Sequence, residues 1–591
     1  MCGIAGWLIP AGPDPGLVVL EAMALSLRHR GPDDSGFHTE SKAGLALAHR
    51  RLSIVDLSPA SHQPMVDSNS GVVLSFNGEI YNYRHLSDQL IGLGHRFHST
   101  GDTEVLLRSY LQWGLGCLPQ LAGMFAFALW DPRSSVLHLA RDATGMKPLY
   151  FMPYRGGHAF ASEIKALLHL PGYQPQLDSI AIQQYLEFGY VFEPTLTILD
   201  GIGRLAPGES VSLCQGRIID RQRWYTPPNP QVGTARPLQQ RTDELLSCLD
   251  QVVAEHLDAD VPVGLLLSGG LDSSLLAALA SRRGPLTTVT MAFDNSSMDE
   301  RPQAQLVADH IGSDHHALNI GADEIRAEIS SGAWVFDDLF ADWGTISTQL
   351  LYRRCREMGL KVVLVGEGAD ELFGGYDSFM GLPKRLGLRK QFRLYQKYAG
   401  RRHGKLFGLF HELMSTYLDD VHGNPADAVR LFESRHQLPA NYVMKVDKAS
   451  MAESVEARAP YLDRRVADLA FAASIPAIHS AEQKKQLLRQ VARRDNLLPV
   501  SIIDRHKYGG PLPSDWMDSD QSFRRFAADH ILTAGSLTER LGLRPAMQAY
   551  FERGRQGAMW PFPISIYRNL AWRLLLLELW APYYLQPPVS A

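Results

Sequence analysis

The spacing of apolar residues divides the chain into two parts with different patterns of predicted strands and helices. Before residue 226, short apolar segments alternate with Gly, Asn and Asp turns, which is typical of strands in antiparallel sheets. The predicted strands are Leu45–Ala48, Val72–Phe76, Phe125–Trp130 and Val136–Ala140. Longer patterns at helical spacing predict helices over Leu17–Arg28 and Thr103–Trp113.

In the second part, strand-like and helix-like segments alternate. The predicted strands are Val263–Leu267, Thr287–Phe293 and Val362–Val365, and the predicted helices are Ser273–Arg282 and Pro302–Ile311. This alternation predicts a parallel, doubly wound α/β sheet. Beyond Gly381 the pattern is mostly helical, and Leu570–Leu585 has the spacing of a terminal helix that faces the core.

A chain of 591 residues is too long for one hydrophobic core. The proline-rich stretch Thr226–Pro237 has few apolar residues and suits an extended connection. We therefore predict a first domain over residues 2–225, a linker over 226–240 and a second domain over 241–591.

Composition narrows the functional classes. A net charge of −5 gives no general attraction to nucleic acid or anionic membranes. The five cysteines are scattered without a CxxC pair, which argues against a zinc site or a disulfide framework and fits a reducing compartment. The N-terminus lacks a signal-peptide pattern, and Arg573 and Glu578 interrupt the most apolar late stretch. We expect a cytoplasmic protein.

Cysteine at position two is the first candidate catalytic residue. If Met1 is removed, Cys2 carries both a thiol and an α-amine whose pKa is about 8. The amine can accept the thiol proton, directly or through water, and so activate the nucleophile. The thiolate would attack the side-chain amide of glutamine, release ammonia and leave a γ-glutamyl thioester.

The residues around Cys2 supply the other groups that a glutamine site needs. Arg51 suits the α-carboxylate, whereas Glu79 and Asp102 suit the α-ammonium group. Asn77 and the main chain of Gly78 can stabilise the oxyanion formed at the amide carbon. The predicted glutamine-binding residues are Arg51, Leu52, Ser53, Ile54, Val55, Asn77, Gly78, Glu79 and Asp102. His29 and Arg30 are expected to order a loop.

The block from Cys2 to Asp102 closely resembles the class II, N-terminal nucleophile glutamine amidotransferase domain. The resemblance rests on RHRGPD at 28–33, RLSIVD at 51–56, NGEIYN at 77–82 and GDTE at 101–104. It implies a four-layer αββα fold. RDATGMKPLY at 141–150 also resembles this family and is interpreted as structural.

A second candidate site begins at Ser268–Ser274, which reads SGGLDSS. The loop follows an apolar strand and opens a helix, so its main-chain amides, serine hydroxyls and helix dipole can hold a phosphate group. No Walker A motif occurs. SGGxDS is instead the pyrophosphate loop of enzymes that split ATP into AMP and pyrophosphate.

Acidic residues follow the third predicted strand, in GEGADELFGGY at 366–376. Ligands bind at this end of parallel strands. Asp272 and Asp370 are candidate Mg²⁺ ligands, because Mg²⁺ takes few carboxylates together with phosphate oxygens and water. Glu367 is placed to act on ammonia or on an acyl-adenylate.

From Val261 to about Trp516 the chain resembles the synthase domain of asparagine synthetases. The resemblance rests on the motifs above and on DKASM at 447–451, EARAPYLD at 456–463, KQLLR at 485–489 and KYGG at 507–510. It implies that Lys485 is catalytic and balances charge on the departing pyrophosphate. The predicted ATP-binding residues are Leu266, Ser268, Gly269, Gly270, Asp272, Ser273, Met291, Val365 and Gly366.

Together these features predict a glutamine-dependent asparagine synthetase. Its substrates would be glutamine, ATP with Mg²⁺, and a carboxylate acceptor, with aspartate favoured. Ammonia would pass through a shielded tunnel from Cys2 to Glu367, since protonated ammonia is not a nucleophile. A homodimer is a family-level expectation.

Alternatives remain open at this point. Near the expected acceptor site, Trp343 and Gln349 in the segment 337–349 depart from the family pattern, as do Ala459 and Tyr461. They are either packing variation or the mark of a relative that amidates another carboxylate in a cell-envelope or secondary-metabolite pathway. The basic stretch Lys384–Lys405 is either a solvated helix face or an RNA-binding helix of a tRNA-modifying enzyme. The complete set of site residues argues against a non-enzymatic regulator.

Overall fold

The structure is a computed structural model of the chain. It describes residues 2–10, 13–230, 236–292, 299–376, 379, 382, 385–399, 404–475, 484–505, 516–553 and 564–586. Several sequence predictions fall partly or wholly outside this range. They concern Phe293, residues 384 and 400–403 of the basic stretch, residues 231–235 of the linker, the KYGG motif at 507–510 and parts of the second domain.

Seventeen strands occur in the described residues. They are β1 Gly3–Leu8, β2 Asp34–Glu40, β3 Leu45–Arg51, β4 Met65–Val66, β5 Val73–Ile80, β6 Gly123–Asp131, β7 Val136–Arg141, β8 Tyr150–Tyr154, β9 Gly157–Ala161, β10 Gly203–Arg204, β11 Glu209–Cys214, β12 Arg217–Arg223, β13 Val263–Leu266, β14 Thr287–Ala292, β15 Asp314–Asn319, β16 Val362–Leu364 and β17 Glu456–Arg458.

The α-helices of the described residues connect and cover these strands. They are α1 Leu17–Ser26, α2 Tyr83–Gly92, α3 Asp102–Trp113, α4 Ile164–Leu167, α5 Ser179–Phe188, α6 Leu238–His256, α7 Leu271–Ser281, α8 Arg301–Ile311, α9 Ala322–Ser331, α10 Thr345–Glu357, α11 Ala369–Phe373, α12 Leu388–Ala399, α13 Phe407–Asp420, α14 Pro425–Phe432, α15 Val443–Ala452, α16 Arg464–Phe471, α17 Gln486–Arg493, α18 Val500–Ile503, α19 Trp516–Ser519, α20 Gln521–Ile531, α21 Leu537–Arg540, α22 Arg544–Arg553 and α23 Ile564–Tyr584.

The first part of the chain forms two stacked antiparallel sheets between helices. One sheet has the order β10-β8-β9-β1-β3-β2 and the other β12-β11-β7-β6-β5-β4. Ile4 of β1 and Leu139 of β7 lie in the apolar layer between the sheets. Trp7 points to the other face of β1 and packs with Met23 of α1. Both faces of β1 are thus buried, and the predicted four-layer αββα fold is confirmed.

The second part is built on a parallel sheet with the order β15-β14-β13-β16-β17. All four strand pairs are parallel. Helix α7 is buried along Ser273–Ala280, since it is enclosed by the rest of the domain. The predicted doubly wound α/β class with additional helices is confirmed. Strand β17 lies within the stretch that the sequence pattern described only as mostly helical.

The terminal helix packs into the core as predicted, and the basic helix is amphipathic. On α23, the indole N–H of Trp580 donates to the Asp337 carbonyl at 2.9 Å, so this helix is part of the core. On α12, Leu394 and Tyr395 are buried while Arg389 and Lys390 are exposed. This is the pattern of a solvated amphipathic helix. In the described part of the chain, no helix combines the length and apolar character needed to cross a membrane.

Candidate active sites

The first site lies at the carboxyl ends of β3 and β5, beside Cys2. Cys2 is buried, with 7% of its surface exposed. Its main-chain nitrogen donates to Asn77 Oδ1 at 3.0 Å. Among the described residues, the Nδ2 group of Asn77 has no hydrogen-bond partner although it is buried. An unused donor beside a buried thiol is the arrangement that an oxyanion requires.

The Cys2 thiol has a raised pKa and needs a base to become a thiolate. Burial raises the pKa of the Cys2 thiol, and the Leu52 N–H and the Arg51 guanidinium only partly offset this effect. The thiol therefore needs a proton acceptor before it can act as a nucleophile. The main-chain nitrogen held by Asn77 would be such an acceptor if it were the N-terminal amine.

A small cavity of about 30 Å³ opens next to Cys2. Its walls include most of the predicted glutamine-binding residues, namely Arg51, Leu52, Ile54, Val55, Gly78, Glu79 and Asp102. Ser53 is not part of these walls, and its N–H instead donates to Asp33 at 2.9 Å. The cavity thus brings together one predicted cation and two predicted acids that are far apart in the sequence.

The charges in the cavity are arranged for a zwitterionic ligand. Arg51 is held by the main-chain carbonyls of Ser58 and Asp56, at 3.2 and 2.5 Å, and has no ion-pair partner among the described residues. Burial raises the pKa of Asp102 to about 6. Burial and the neighbouring Asp102 carboxylate raise the pKa of Glu79 well above its ordinary value. A ligand ammonium group would relieve the cost of ionising these two acids.

Two residues of this site come from the second domain, and sequence reasoning did not assign them to it. Glu456 of β17 lines the cavity. Arg458, two residues further along β17, is fully buried and lies 3.2 Å from Glu79. It also donates to Glu456 at 2.6 Å. No local pattern could have placed β17 beside Cys2, because the contact depends on how the domains pack.

The second site lies where β13, β14 and β16 end, which are adjacent strands in the sheet. The loop Ser268–Gly270 joins β13 to α7 and is closed by internal hydrogen bonds. The Ser268 N–H donates to Ser273 Oγ at 3.1 Å, and the Gly270 N–H donates to Ser268 Oγ at 3.3 Å. Gly269 has φ +66°, and a Cβ there would lie 2.6 Å from Ala304 N. Glycine is therefore required at this position.

The other predicted nucleotide-binding residues meet at the same edge of the sheet. Leu266 ends β13, Met291 lies near the end of β14, and Val365 and Gly366 follow β16. A Cβ at Gly366 would lie 3.4 Å from Ser273 N and 3.5 Å from Asp272 Cβ. The two loops therefore approach each other closely, as a nucleotide site between them requires.

Lys485 joins the two candidate metal ligands. Its ammonium group lies 2.5 Å from Asp272 Oδ2 and 2.5 Å from Asp370 Oδ1. Burial opposes its charge, but the two carboxylates outweigh burial and hold its pKa above the ordinary value. The residue adopts φ +54° at the start of α17, so its backbone stores strain that the site must offset.

The donor set fits Mg²⁺. Asp272 and Asp370 both touch one ammonium group, so their carboxylates can converge on one small cation. Among the described residues, no group of three or more His, Cys, Asp or Glu side chains could hold a metal. Two carboxylates that rely on phosphate oxygens and water for the remaining ligands match the preference of Mg²⁺.

The segment Asp337–Gln349 divides between structural and candidate acceptor roles. Asp337 accepts from the Ile164 N–H at 2.9 Å and Asp338 from the Ile198 N–H at 2.9 Å, so both acids bind the first domain. Trp343 stacks on Trp572 with a centroid distance of 4.1 Å. The Gln349 amide donates to Glu453 at 2.9 Å.

Asp342 has a different environment. It lies 3.9 Å from the ammonium group of Lys445, and both side chains are partly exposed. Burial opposes the charge on Lys445, but Asp342 and Glu367 outweigh it and raise its pKa. Lys445 therefore interacts electrostatically with both Asp342 and Glu367.

The predicted tunnel is not traced as one passage. A separate cavity of only about 10 Å³ lies between the domains, and both apolar residues (Met146, Leu149 and Val443) and charged residues (Asp447 and Lys448) line it. Strand β17 runs from Glu456 at the first site towards Tyr461, whose hydroxyl donates to the Asp272 carbonyl at 3.0 Å. Only Glu456–Arg458 of this segment is a strand, and the chain turns as a short 3₁₀-helix over Pro460–Leu462.

Two family matches divide the chain where the fold does. Residues 1–225 match the glutamine amidotransferase domain, and residues 244–582 match asparagine synthase. A putative glutamine-hydrolyzing asparagine synthetase of Mycobacterium tuberculosis is 33% identical, and the alignment covers 100% of this chain and 98% of the relative. Asparagine synthetase 1 of Bacillus subtilis is 29% identical, with 85% of each chain covered. Amidase chry2 of Gibberella zeae is 31% identical over 64% of this chain and 60% of the relative.

Proposed function

The chain belongs to the asparagine synthase family, as an enzyme with an N-terminal glutamine amidotransferase domain, and from this premise we propose that it makes asparagine from aspartate, glutamine and ATP. The observation that carries the proposal is that strand β17 and the residues just after it reach both candidate sites. Glu456 at its start lines the Cys2 cavity, and Tyr461 just beyond its end bonds to the Asp272 main chain.

The first half-reaction releases ammonia from glutamine. After removal of Met1, the α-amine held by Asn77 takes the thiol proton, and the thiolate attacks the amide carbon. The Nδ2 group of Asn77 donates to the oxyanion. The C–N bond breaks, the leaving nitrogen takes a proton from the amine and departs as ammonia, and water later hydrolyses the thioester to glutamate. Arg51 binds the α-carboxylate, and Glu79 and Asp102 bind the ammonium group.

The second half-reaction activates the acceptor. A carboxylate oxygen of the acceptor attacks the α-phosphorus of ATP, and the bond to pyrophosphate breaks. The loop Ser268–Gly270 binds phosphate oxygens, and Lys485 offsets the charge that develops on the pyrophosphate. Mg²⁺ held by Asp272 and Asp370 would supply further positive charge at these oxygens. Ammonia then attacks the acyl carbon, AMP leaves, and Glu367 accepts the surplus proton.

The pairing of β16 with β17 supports transfer of ammonia inside the protein. Val365 N donates to the Arg458 carbonyl at 2.8 Å, which holds the second site beside the strand that reaches the first. Ammonia that travels along this strand stays out of bulk water, where it would be protonated.

The charge pair at the second site favours an amino acid as acceptor. Asp342 can bind an α-ammonium group, and Lys445 can bind a carboxylate. Aspartate carries both groups and a second carboxylate to be adenylated. A second candidate is another carboxylate substrate, which is favoured by the Trp343–Trp572 stack at this segment and by the similarity to an amidase.

The test is a pyrophosphate-release assay with MgATP, glutamine or ammonium, and a panel of carboxylates headed by aspartate. Products are identified by mass spectrometry. Aspartate-dependent release of one pyrophosphate for each asparagine formed is the expected result. If glutamine is hydrolysed and ATP binds, but aspartate gives no amide while another acid does, aspartate is refuted and the second candidate stands.

A further inference from the structure

A buried cluster of charged side chains joins the main chain of Cys2 to helix α15 of the second domain. Arg30 is fully buried. Its Nε donates to the Cys2 carbonyl at 3.1 Å. Its two terminal nitrogens donate to Asp447 at 2.9 and 3.0 Å, and one of them also donates to Glu163 at 2.7 Å. The sequence pattern predicted only that Arg30 orders a loop.

The pairing of Arg30 with Asp447 has a fixed geometry. A bidentate arginine–carboxylate pair sets the plane of the guanidinium group as well as its position. Arg30 and Asp447 are 417 residues apart, and the pair crosses from one domain to the other. Since Asp447 is 2% exposed, neither charge is screened by water.

The cluster is nearly balanced in charge. Burial opposes the ionisation of Asp447, but Arg30 and Lys147 outweigh it and hold its pKa below the ordinary value. Among the described residues, the other charged or titratable groups that face the cluster include His29, Lys147, Tyr150, Glu163, Lys165, Asp337, Lys448, Glu456 and Tyr584. Removal of one carboxylate would therefore leave buried positive charge beside Cys2.

We infer that Asp447, supplied by the second domain, is a positioning residue for the Cys2 nucleophile. It orients Arg30, which holds the Cys2 carbonyl, while Asn77 holds the Cys2 nitrogen from the other side. Hydrogen bonds thus fix both the main-chain nitrogen and the main-chain carbonyl of Cys2. The bond to the carbonyl depends on the docked second domain, because Asp447 orients Arg30. This inference rests on the proposed function, in which Cys2 attacks glutamine.

The test compares the two activities in the full-length Asp447→Asn variant. Glutamine hydrolysis is expected to fall about 10- to 100-fold in kcat with KM changed less than threefold, because a misplaced nucleophile slows chemistry more than binding. Pyrophosphate release with ammonium as nitrogen source should stay within threefold. Retained glutaminase activity, or an equal loss of both activities, overturns the inference.

The matched control is Asp258→Asn. Asp258 also pairs with an arginine across the domain contact, since Arg84 lies 2.7 Å away, but the pair is partly exposed and does not touch Cys2. Both activities should be unchanged in this variant. If Asp258→Asn loses glutaminase activity as Asp447→Asn does, the effect belongs to domain docking in general and the inference is refuted.

A chemical readout separates positioning from packing. The rate of Cys2 alkylation by iodoacetamide, measured by mass spectrometry across pH, should show a lower midpoint in Asp447→Asn, because unbalanced positive charge favours the thiolate. The Arg30→Lys variant keeps the positive charge but loses the bidentate hydrogen bonds of the guanidinium group. The variant should therefore lose glutaminase activity with little change in the midpoint pH of Cys2 alkylation. An unchanged midpoint in Asp447→Asn contradicts the inference.

Comparison of the parent protein with the Cys2→Ala variant shows whether the proposed function fails or only the role of Asp447. Without Cys2-dependent ammonia release in the parent protein, the proposed function fails, and this inference fails with it. If the parent shows Cys2-dependent release and Asp447→Asn matches it, only the role of Asp447 is refuted.

Discussion

Replacement of Asp102 by asparagine is expected to stabilise the folded protein at neutral pH. Burial raises the pKa of Asp102 from 3.8 to about 6. At about 1.36 kcal/mol per pH unit, the ionised carboxylate costs the fold up to about 3 kcal/mol. Asparagine has nearly the same shape, and its side-chain oxygen can still accept from the Ile80 N–H, which now donates at 2.9 Å.

The sign of the pH dependence follows from the raised pKa. Between pH 3.8 and about 6 the folded protein binds a proton that the unfolded chain has lost. The stability of the wild-type protein therefore falls as pH rises through this window, and the penalty is complete above it. The advantage of Asp102→Asn should be largest at pH 7.5, smaller at pH 5.5 and absent below about pH 4.

The same change should impair function. Asp102 lines the glutamine cavity and, with Glu79, is proposed to bind the α-ammonium group. Loss of a hydrogen bond to a charged group costs about 1.5–3 kcal/mol, so KM for glutamine should rise about 10- to 150-fold. Ammonia-dependent synthesis should be unaffected, since the second site is intact.

The measurements are denaturant midpoints at pH 7.5 and 5.5, together with KM for glutamine. Glu104→Gln, two residues away on α3, is the control with the opposite sign. Burial opposes ionisation of Glu104, but hydrogen bonds from the Ser99 and His98 N–H groups and from Arg108 hold its pKa below the ordinary value. Its loss should destabilise the protein at pH 7.5. If Asp102→Asn is less stable than the wild type at pH 7.5, the reasoning about its buried charge is refuted.

Three further changes test the chemistry at single groups. Asn77→Ala should lower kcat for glutamine hydrolysis about 10²- to 10³-fold, the effect of losing an oxyanion donor; steady-state kinetics that show less than a threefold change would contradict this role. Gly269→Ala should abolish ATP-dependent pyrophosphate exchange, because φ +66° and a Cβ 2.6 Å from a neighbouring backbone atom distort the loop. Lys485→Met should reduce the same exchange at least 100-fold. It also leaves Asp272 and Asp370 without their shared ammonium group, so the remaining activity should depend more steeply on Mg²⁺ concentration, which a titration measures.

The sequence alone determined the features that depend on neighbours in the chain. The loop Ser268–Ser274 is recognisable because its hydrogen bonds close within five residues, between a strand and a helix that each have a clear apolar pattern. The strand alternation gave the fold class of both domains, because each strand buries its side chains by a local rule. Cys2 was identifiable for the same reason, since its proposed activating amine belongs to the same residue.

Only the tertiary structure decided how the two sites are completed. Strand β17 has three residues, which is too short for a periodic signal, yet it brings Glu456 and Arg458 to the Cys2 cavity. Arg30 binds Asp447, which lies 417 residues further along the chain. Asp337 belongs to the segment expected near the acceptor, but its carboxylate binds a main-chain N–H of the first domain. These contacts arise from the docking of two independently patterned domains. Their energy depends on interatomic distances and on burial, and neither quantity can be read from the sequence.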